Sequence, residues 1–142
     1  MEGRKLKRML DLKRRIEKAK KGELAIAIDE VEQANTQLSA AQSEQQARIA
    51  QLAEPGEVSL VELTERARYA ELAGQEVNVA REAVNDRERA KDERQDAVVV
   101  ATRDVRTFEK LTERDREEQR LLAKSAEQRA ADDQASARWS TK

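Results

Sequence analysis

Carboxylates are the side chains of this sequence best placed to carry acid–base or metal chemistry. The 142 residues include 29 Asp and Glu but no His and no Cys. Thiol chemistry, disulfides and most zinc sites are therefore excluded. Adjacent carboxylates stand at Glu117-Glu118 and at Asp132-Asp133, and such pairs can serve as acid and base or as metal ligands.

These carboxylates lie in highly charged sequence typical of an exposed helix. The chain has neither a G-x-x-x-x-G-K-[ST] loop nor a G-x-G-x-x-G motif to bind a phosphate. Acid–base catalysis also needs a cleft that shifts the pKa of its groups, and long exposed helices offer none. We therefore predict a solvated face, no catalytic residue, no metal, no cofactor and no enzymatic activity.

A block of basic residues at the N-terminus could bind an anion. Residues 1–22 contain ten Lys and Arg against three Asp and Glu, residues 23–80 contain three against eleven, and residues 81–142 contain fifteen of each. No aromatic residues interleave with the basic block for base stacking, and no large apolar face accompanies it for membrane insertion. A solvated face or an acidic protein partner is thus favoured over nucleic acid or lipid.

The elements that carry these charges are long helices. The chain is 38% hydrophobic and 40% charged, and Tyr69, Phe108 and Trp139 are its only aromatics. The remaining residues are mostly good helix formers. No apolar run approaches the roughly 18 residues of a membrane span, and none suits a signal peptide, so we expect a cytoplasmic protein.

One turn divides the chain. Pro55 and Gly56 form its only Pro-Gly pair, and Ser59 with Glu62 matches an S-x-x-E capping box. This arrangement predicts that a second helix begins near residue 60.

Both segments beside the turn show residues spaced alternately by four and three, which is typical of a coiled-coil seam. The phase slips near Gly22, where we expect a local irregularity. Arg87, Lys91 and Arg94 interrupt the second seam, and we expect their charges to stay in water. The first seam is Leu24, Ile28, Val31, Asn35, Leu38, Gln42, Gln45, Ile49 and Leu52, preceded by Leu6, Met9 or Leu10, and Ile16. The second is Ala70, Ala73, Val77, Ala80, Val84, Arg87, Lys91, Arg94, Val98, Ala101, Val105 and Phe108.

The sequence thus predicts an all-α protein, an antiparallel coiled-coil hairpin whose second helix overhangs at the C-terminus. We expect one elongated domain over residues 1–142, with helix 1 at about 4–53, a turn at 54–59 and helix 2 at about 60–138. The numbers of facing residues should add up to about 112, which leaves 109–142 without a partner helix. Apolar residues in that overhang suggest a partner surface.

Two stretches, one at each end of the chain, carry a recognisable pattern of charged and apolar residues. The C-terminal stretch contains Phe108-Glu109-Lys110-Leu111, Arg114, Arg116-Glu117-Glu118, Arg120, Glu127-Gln128-Arg129 and Asp132-Asp133-Gln134-Ala135. The N-terminal stretch contains Leu6-Lys7-Arg8-Met9-Leu10, Arg14-Arg15 and Ala19. These stretches resemble the FliJ family of flagellar type III export and the related YscO-type proteins of injectisomes.

The resemblance implies a non-catalytic central stalk whose paired termini insert into a hexameric export ATPase, promote its assembly and hydrolysis, and link it to the export gate. It also implies that the protein is located at the cytoplasmic face of a membrane-bound secretion apparatus and that the chain is a monomer. Export chaperones are further expected partners. By match to the family pattern, the ATPase-binding residues are Leu6, Arg8, Leu10, Arg14, Arg15, Lys110, Leu111, Arg114, Glu117, Arg120, Gln128 and Arg129. We expect the gate contact in the middle of the rod, where the hairpin register brings together Leu38, Gln42, Leu72 and Glu76. Seam packing is the alternative for these residues, and it is favoured for Leu38.

Two other functions fit the same residues. A self-associating structural coiled coil or chaperone-like scaffold would form dimers or larger oligomers and would not affect an ATPase. A nucleic-acid binder using the basic block would lose affinity steeply with salt. Neither needs a catalytic site.

Overall fold

Two long helices make up nearly all of the described chain. The computed structural model describes residues 3–140, in which α1 is Gly3–Leu52 and α2 is Leu60–Ser140. No strand occurs among these described residues. The helices pack against each other as an antiparallel hairpin, which confirms the predicted all-α fold.

The turn between the helices is held by local hydrogen bonds. The Glu62 backbone N–H donates to Ser59 Oγ at 3.2 Å, so Ser59 caps α2 as the sequence predicted. Gly56 has a φ of +143°, a conformation that L-amino acids rarely adopt. Across the turn, Arg66 Nη1 donates to the Gln51 carbonyl at 3.1 Å and so satisfies an acceptor at the end of α1.

The seam of α1 differs from the predicted one at alternate positions. Ala27 and Ala34 are buried, whereas the neighbouring Ile28 and Asn35 are exposed. Small alanine side chains allow the two helix backbones to approach closely, which favours this choice. The prediction was correct for Val31 and for half-buried Leu38 but wrong for Ile28, Asn35 and Ile49.

The predicted irregularity at Gly22 is absent from the structure. α1 continues through this residue, and a Cβ atom added there would meet no atom within 4 Å. Half-buried Glu17, Lys20 and Leu24 keep the alternating spacing on both sides of the glycine. Polar side chains therefore continue the seam where no apolar residue was available to reveal it.

The register of the hairpin also differs from the prediction. Lys13 faces Asp104, Glu23 faces Arg94 and Glu30 faces Arg87, and the numbers of each pair add up to 117. The predicted sum of about 112 is also the sum of the helix ends beside the turn, Leu52 and Leu60. In the structure α2 is instead displaced along α1, since Arg66 near the start of α2 bonds to the Gln51 carbonyl and these numbers also add up to 117. Pairing consequently reaches half-buried Asp115, and the unpaired part of α2 begins at residue 116 rather than 109.

The chain divides into two compact units, each containing part of both helices. The turn unit is Lys20–Val98, and the terminal unit contains the residues up to Ala19 with those from Val99 onward. The buried residues of the turn unit are Ala27, Val31, Ala34, Ala73, Val77 and Val84, and those of the terminal unit are Leu6, Leu10, Ala101 and Val105.

Candidate functional site

The terminal unit brings together both stretches predicted to bind an ATPase. Leu6 and Leu10 are only 3% and 7% exposed, and they belong to the same buried seam as Ala101 and Val105. These two leucines therefore hold α1 against α2 and present almost no surface to another molecule. Of the predicted N-terminal residues, the polar ones Arg8, Arg14 and Arg15 are exposed.

Basic residues of α1 contact acidic and aromatic residues of α2 in this unit. Lys13 Nζ lies 3.7 Å from Asp104 Oδ2 and 5.9 Å from the centroid of the Phe108 ring. Arg14 Nη2 lies 3.7 Å from Glu109 Oε1. Because these side chains are partly solvated, each ion pair stabilises the hairpin by well under about 1 kcal/mol. Their main effect is to set which residues of α1 and α2 face each other.

In the terminal unit, two large apolar residues of α1 lie outside the seam. Leu12 is 47% exposed and Ile16 is 37% exposed. The apolar stripe predicts Ile16 in the seam, but the half-buried position next to it is occupied by Glu17. The spacing of Leu6, Leu10 and Lys13 would have revealed this if lysine had been allowed as a seam residue.

From residue 116 to residue 140, every residue of α2 is exposed. The predicted binding residues Glu117, Arg120, Gln128 and Arg129 lie on this extension, and exposed Lys110, Leu111 and Arg114 directly precede it. Leu121, Leu122 and Trp139 are exposed there as well, with Trp139 82% accessible. A helix of this kind offers its whole circumference to a partner.

One strong ion pair lies on the extension. Arg120 Nη2 and Nε donate to the two carboxylate oxygens of Glu117 at 2.6 and 3.1 Å. This bidentate contact lowers the pKa of Glu117 below its ordinary value and raises the pKa of Arg120. Both groups remain fully in water, so the pair organises one helical turn locally.

The residues predicted to bind the gate all lie in the turn unit. Leu72 and Glu76 are exposed and line a shallow groove with Gln37, Gln75 and Val79. Leu38 is half-buried in the seam, and Gln42 is half-buried one turn further along α1. Leu72 and Glu76 can therefore be reached by a partner, whereas Leu38 also packs in the hairpin.

The described part of the chain contains no group of three or more Asp, Glu, His or Cys residues able to hold a metal ion. Within residues 3–140, neither helix has an apolar stretch long enough to cross a membrane. The candidate sites on the described chain are therefore exposed surfaces. The terminal unit carries exposed cations, and acidic residues lie near the turn.

Comparison with known proteins gives one finding. Residues 1–142 match a family model described as Flagellar FliJ protein. No curated protein and no solved structure matches the chain. The match covers the whole sequence, including both stretches that carried the resemblance.

Proposed function

Because this chain belongs to the flagellar FliJ family, a non-enzymatic component of flagellar or type III export, we propose that it is the central stalk of the export ATPase. In this proposal the terminal unit inserts into the ATPase ring and promotes hexamer assembly and hydrolysis. The turn unit links the ring to the export gate. The chain acts at the cytoplasmic face of the secretion apparatus.

The observation that carries the proposal is the composition of the terminal unit. Hairpin pairing ends in this unit, and an exposed helical extension continues from residue 116. Lys110 and Arg114 lie on the outer surface just before it, and Arg8 and Arg15 are exposed on α1. A helix pair with free cations suits a ring lined by carboxylates, because opposite charges guide association and fix orientation.

The turn unit supports the second half of the proposal. Leu72, Glu76 and Val79 are exposed along one groove, whose lining combines apolar side chains with the Glu76 carboxylate. Such a surface suits a peptide or helix with apolar and basic side chains. We assign this groove to the cytoplasmic domain of the export gate. Export chaperones are further partners that membership of the family suggests.

Stimulation of a purified export ATPase tests the ring contact. We expect the full chain to increase ATP hydrolysis and the fraction of hexamers, and the Lys110→Gln/Arg114→Gln variant to lose most of this effect. The matched Arg68→Gln/Arg81→Gln variant removes two exposed cations from the turn unit and should stimulate normally. A wild-type chain without effect, or equal losses in both variants, would disprove the proposal.

A second candidate, the self-associating coiled coil or scaffold, is favoured by exposed Leu121, Leu122 and Trp139. These side chains would be covered in an oligomer. Light scattering separates the two functions, since the stalk predicts a particle near the chain mass of 16.1 kDa. A stable dimer or larger oligomer at working concentration would favour the scaffold.

A further inference from the structure

The outer side of α1 in the terminal unit carries apolar and basic residues on one face. Leu12 and Ile16 lie one helical turn apart, and Lys5, Arg8 and Arg15 stand seven, four and three residues from Leu12. Residues with this spacing share one side of a helix. We call these five residues the Leu12 face.

The cations of the Leu12 face have no acidic partner among residues 3–140. Lys13 and Arg14, which lie nearer to α2, contact Asp104 and Glu109. By contrast, Lys5, Arg8 and Arg15 make neither an ion pair nor a side-chain hydrogen bond to any described residue. The face therefore combines exposed apolar side chains with three cations that form no ion pair among the described residues.

We infer that the Leu12 face is a docking surface for an amphipathic helix of another protein, with Asp or Glu beside its apolar ridge. Leu12 and Ile16 would pack against the ridge, and the three cations would meet the carboxylates. An anionic membrane suits the face less well, because two aliphatic side chains without an aromatic give little insertion. Arg8 and Arg15 belong to the proposed ATPase contact, so in this respect the inference deepens the proposed function.

A synthetic peptide provides a test that is independent of the ATPase. The probe is a dye-labelled helix of three heptads with Leu at positions a and d and Glu at positions e and g, and fluorescence anisotropy with the full chain reports binding. A scrambled peptide of the same composition keeps the charge but loses the apolar ridge. Vesicles of phosphatidylcholine and phosphatidylglycerol test the membrane alternative.

We expect the amphipathic peptide to bind and the scrambled peptide to bind much more weakly. Leu12→Gln/Ile16→Gln should weaken binding about tenfold or more, since both side chains lose their buried contacts. The matched Leu121→Gln/Leu122→Gln variant, which alters two exposed leucines of the same unit, should bind as the wild type does. Lys5→Gln/Arg8→Gln/Arg15→Gln should weaken binding and reduce its salt dependence.

Three results would overturn the inference. These are that the amphipathic peptide does not bind at all, that both peptides bind equally well, and that Leu12→Gln/Ile16→Gln binds the amphipathic peptide as tightly as the wild type does. Vesicle binding that this same variant abolishes would assign the face to a membrane instead. Circular dichroism of each variant confirms that a loss of binding is not a loss of helix. Failure here leaves the ATPase stimulation test unaffected, because that test uses other substitutions.

Discussion

The two units of the hairpin use opposite charge patterns to join the same two helices. In the terminal unit α1 supplies the cations, with Lys13 facing Asp104. In the turn unit α1 supplies the carboxylates, since Glu23 lies 3.6 Å from Arg94 and Glu30 lies 3.3 Å from Arg87. The charge on each helix therefore changes sign between the units while opposite charges still face each other.

This reversal favours one register. Glu23 and Glu30 are seven residues apart, and so are Arg87 and Arg94, so each ion pair repeats after one heptad. A slide of one heptad in either direction keeps at most one of these two pairs and moves Asp104 away from Lys13. Individually weak pairs thus discriminate between registers that alanine packing alone separates poorly.

The largest expected effect comes from placing a charge in the buried seam of each unit. Val77→Asp in the turn unit and Val105→Asp in the terminal unit should each lower the free energy of unfolding by about 2 to 4 kcal/mol, because a carboxylate replaces a buried apolar group without a partner. Urea denaturation followed by circular dichroism measures the change.

Matched controls for these two variants lie on the same helix. Val79 is 66% exposed in the turn unit and Val100 is 56% exposed in the terminal unit. Val79→Asp and Val100→Asp should change stability by less than about 0.5 kcal/mol. If Val77→Asp or Val105→Asp lowered the free energy of unfolding no more than its control does, the buried seam of that unit would not contribute to stability.

The seam of α2 could be predicted from spacing because its burial follows the assigned positions. Ala73, Val77 and Val84 are buried as expected. In α1, however, two choices satisfy the same alternation by four and three, one through Ala27 and the other through Ile28. Hydrophobicity favours Ile28, whereas close packing of the helices favours Ala27, and only the structure decides between them.

The register and the candidate surfaces were harder to predict. The sequence places the turn correctly, and capping at Ser59 fixes where α2 begins. The facing residues add up to 117 although the helix ends at Leu52 and Leu60 add up to 112, so the register depends on how far α2 is displaced along α1, which the position of the turn does not determine. Arg8 and Arg15 lie on the surface, whereas Leu6 and Leu10 are buried between the helices, and the ATPase contact of all four stays a prediction. A family pattern cannot separate residues that bind a partner from residues that position the helices.

Charge reversal in the turn unit should have an intermediate effect. Glu23→Arg/Glu30→Arg places arginines opposite Arg94 and Arg87, and it should destabilise the hairpin by about 1 to 2 kcal/mol at low salt. Adding Arg87→Glu/Arg94→Glu restores opposite charges and should recover most of the loss. Urea denaturation of the four proteins gives the coupling energy.

Two controls accompany this cycle. Glu32→Arg alters an exposed carboxylate of the same unit that contacts no cation across the hairpin, and it should change stability little. High salt should reduce the coupling energy, because the side chains are about half solvated. A coupling energy near zero at low salt would show that alanine packing alone sets the register.

The smallest effect concerns the extension, where α2 has no second helix beside it. The contact with Arg120 lowers the pKa of Glu117 below the ordinary pKa of a glutamate. The ion pair therefore stabilises the local helix fully at pH values above that ordinary pKa, and this stabilisation is lost as the pH falls through the lowered pKa. In Arg120→Gln the pKa of Glu117 should rise towards its ordinary value. NMR titration of the Glu117 carboxyl carbon measures the titration midpoint in the wild type and in this variant.

Arg116→Gln provides the control, because it removes a neighbouring exposed cation that does not face Glu117 and should leave the midpoint unchanged. An equal shift in both variants would assign the lowered pKa to the general positive field of the helix, and the extension would then lack the specific ion pairing found between the two helices.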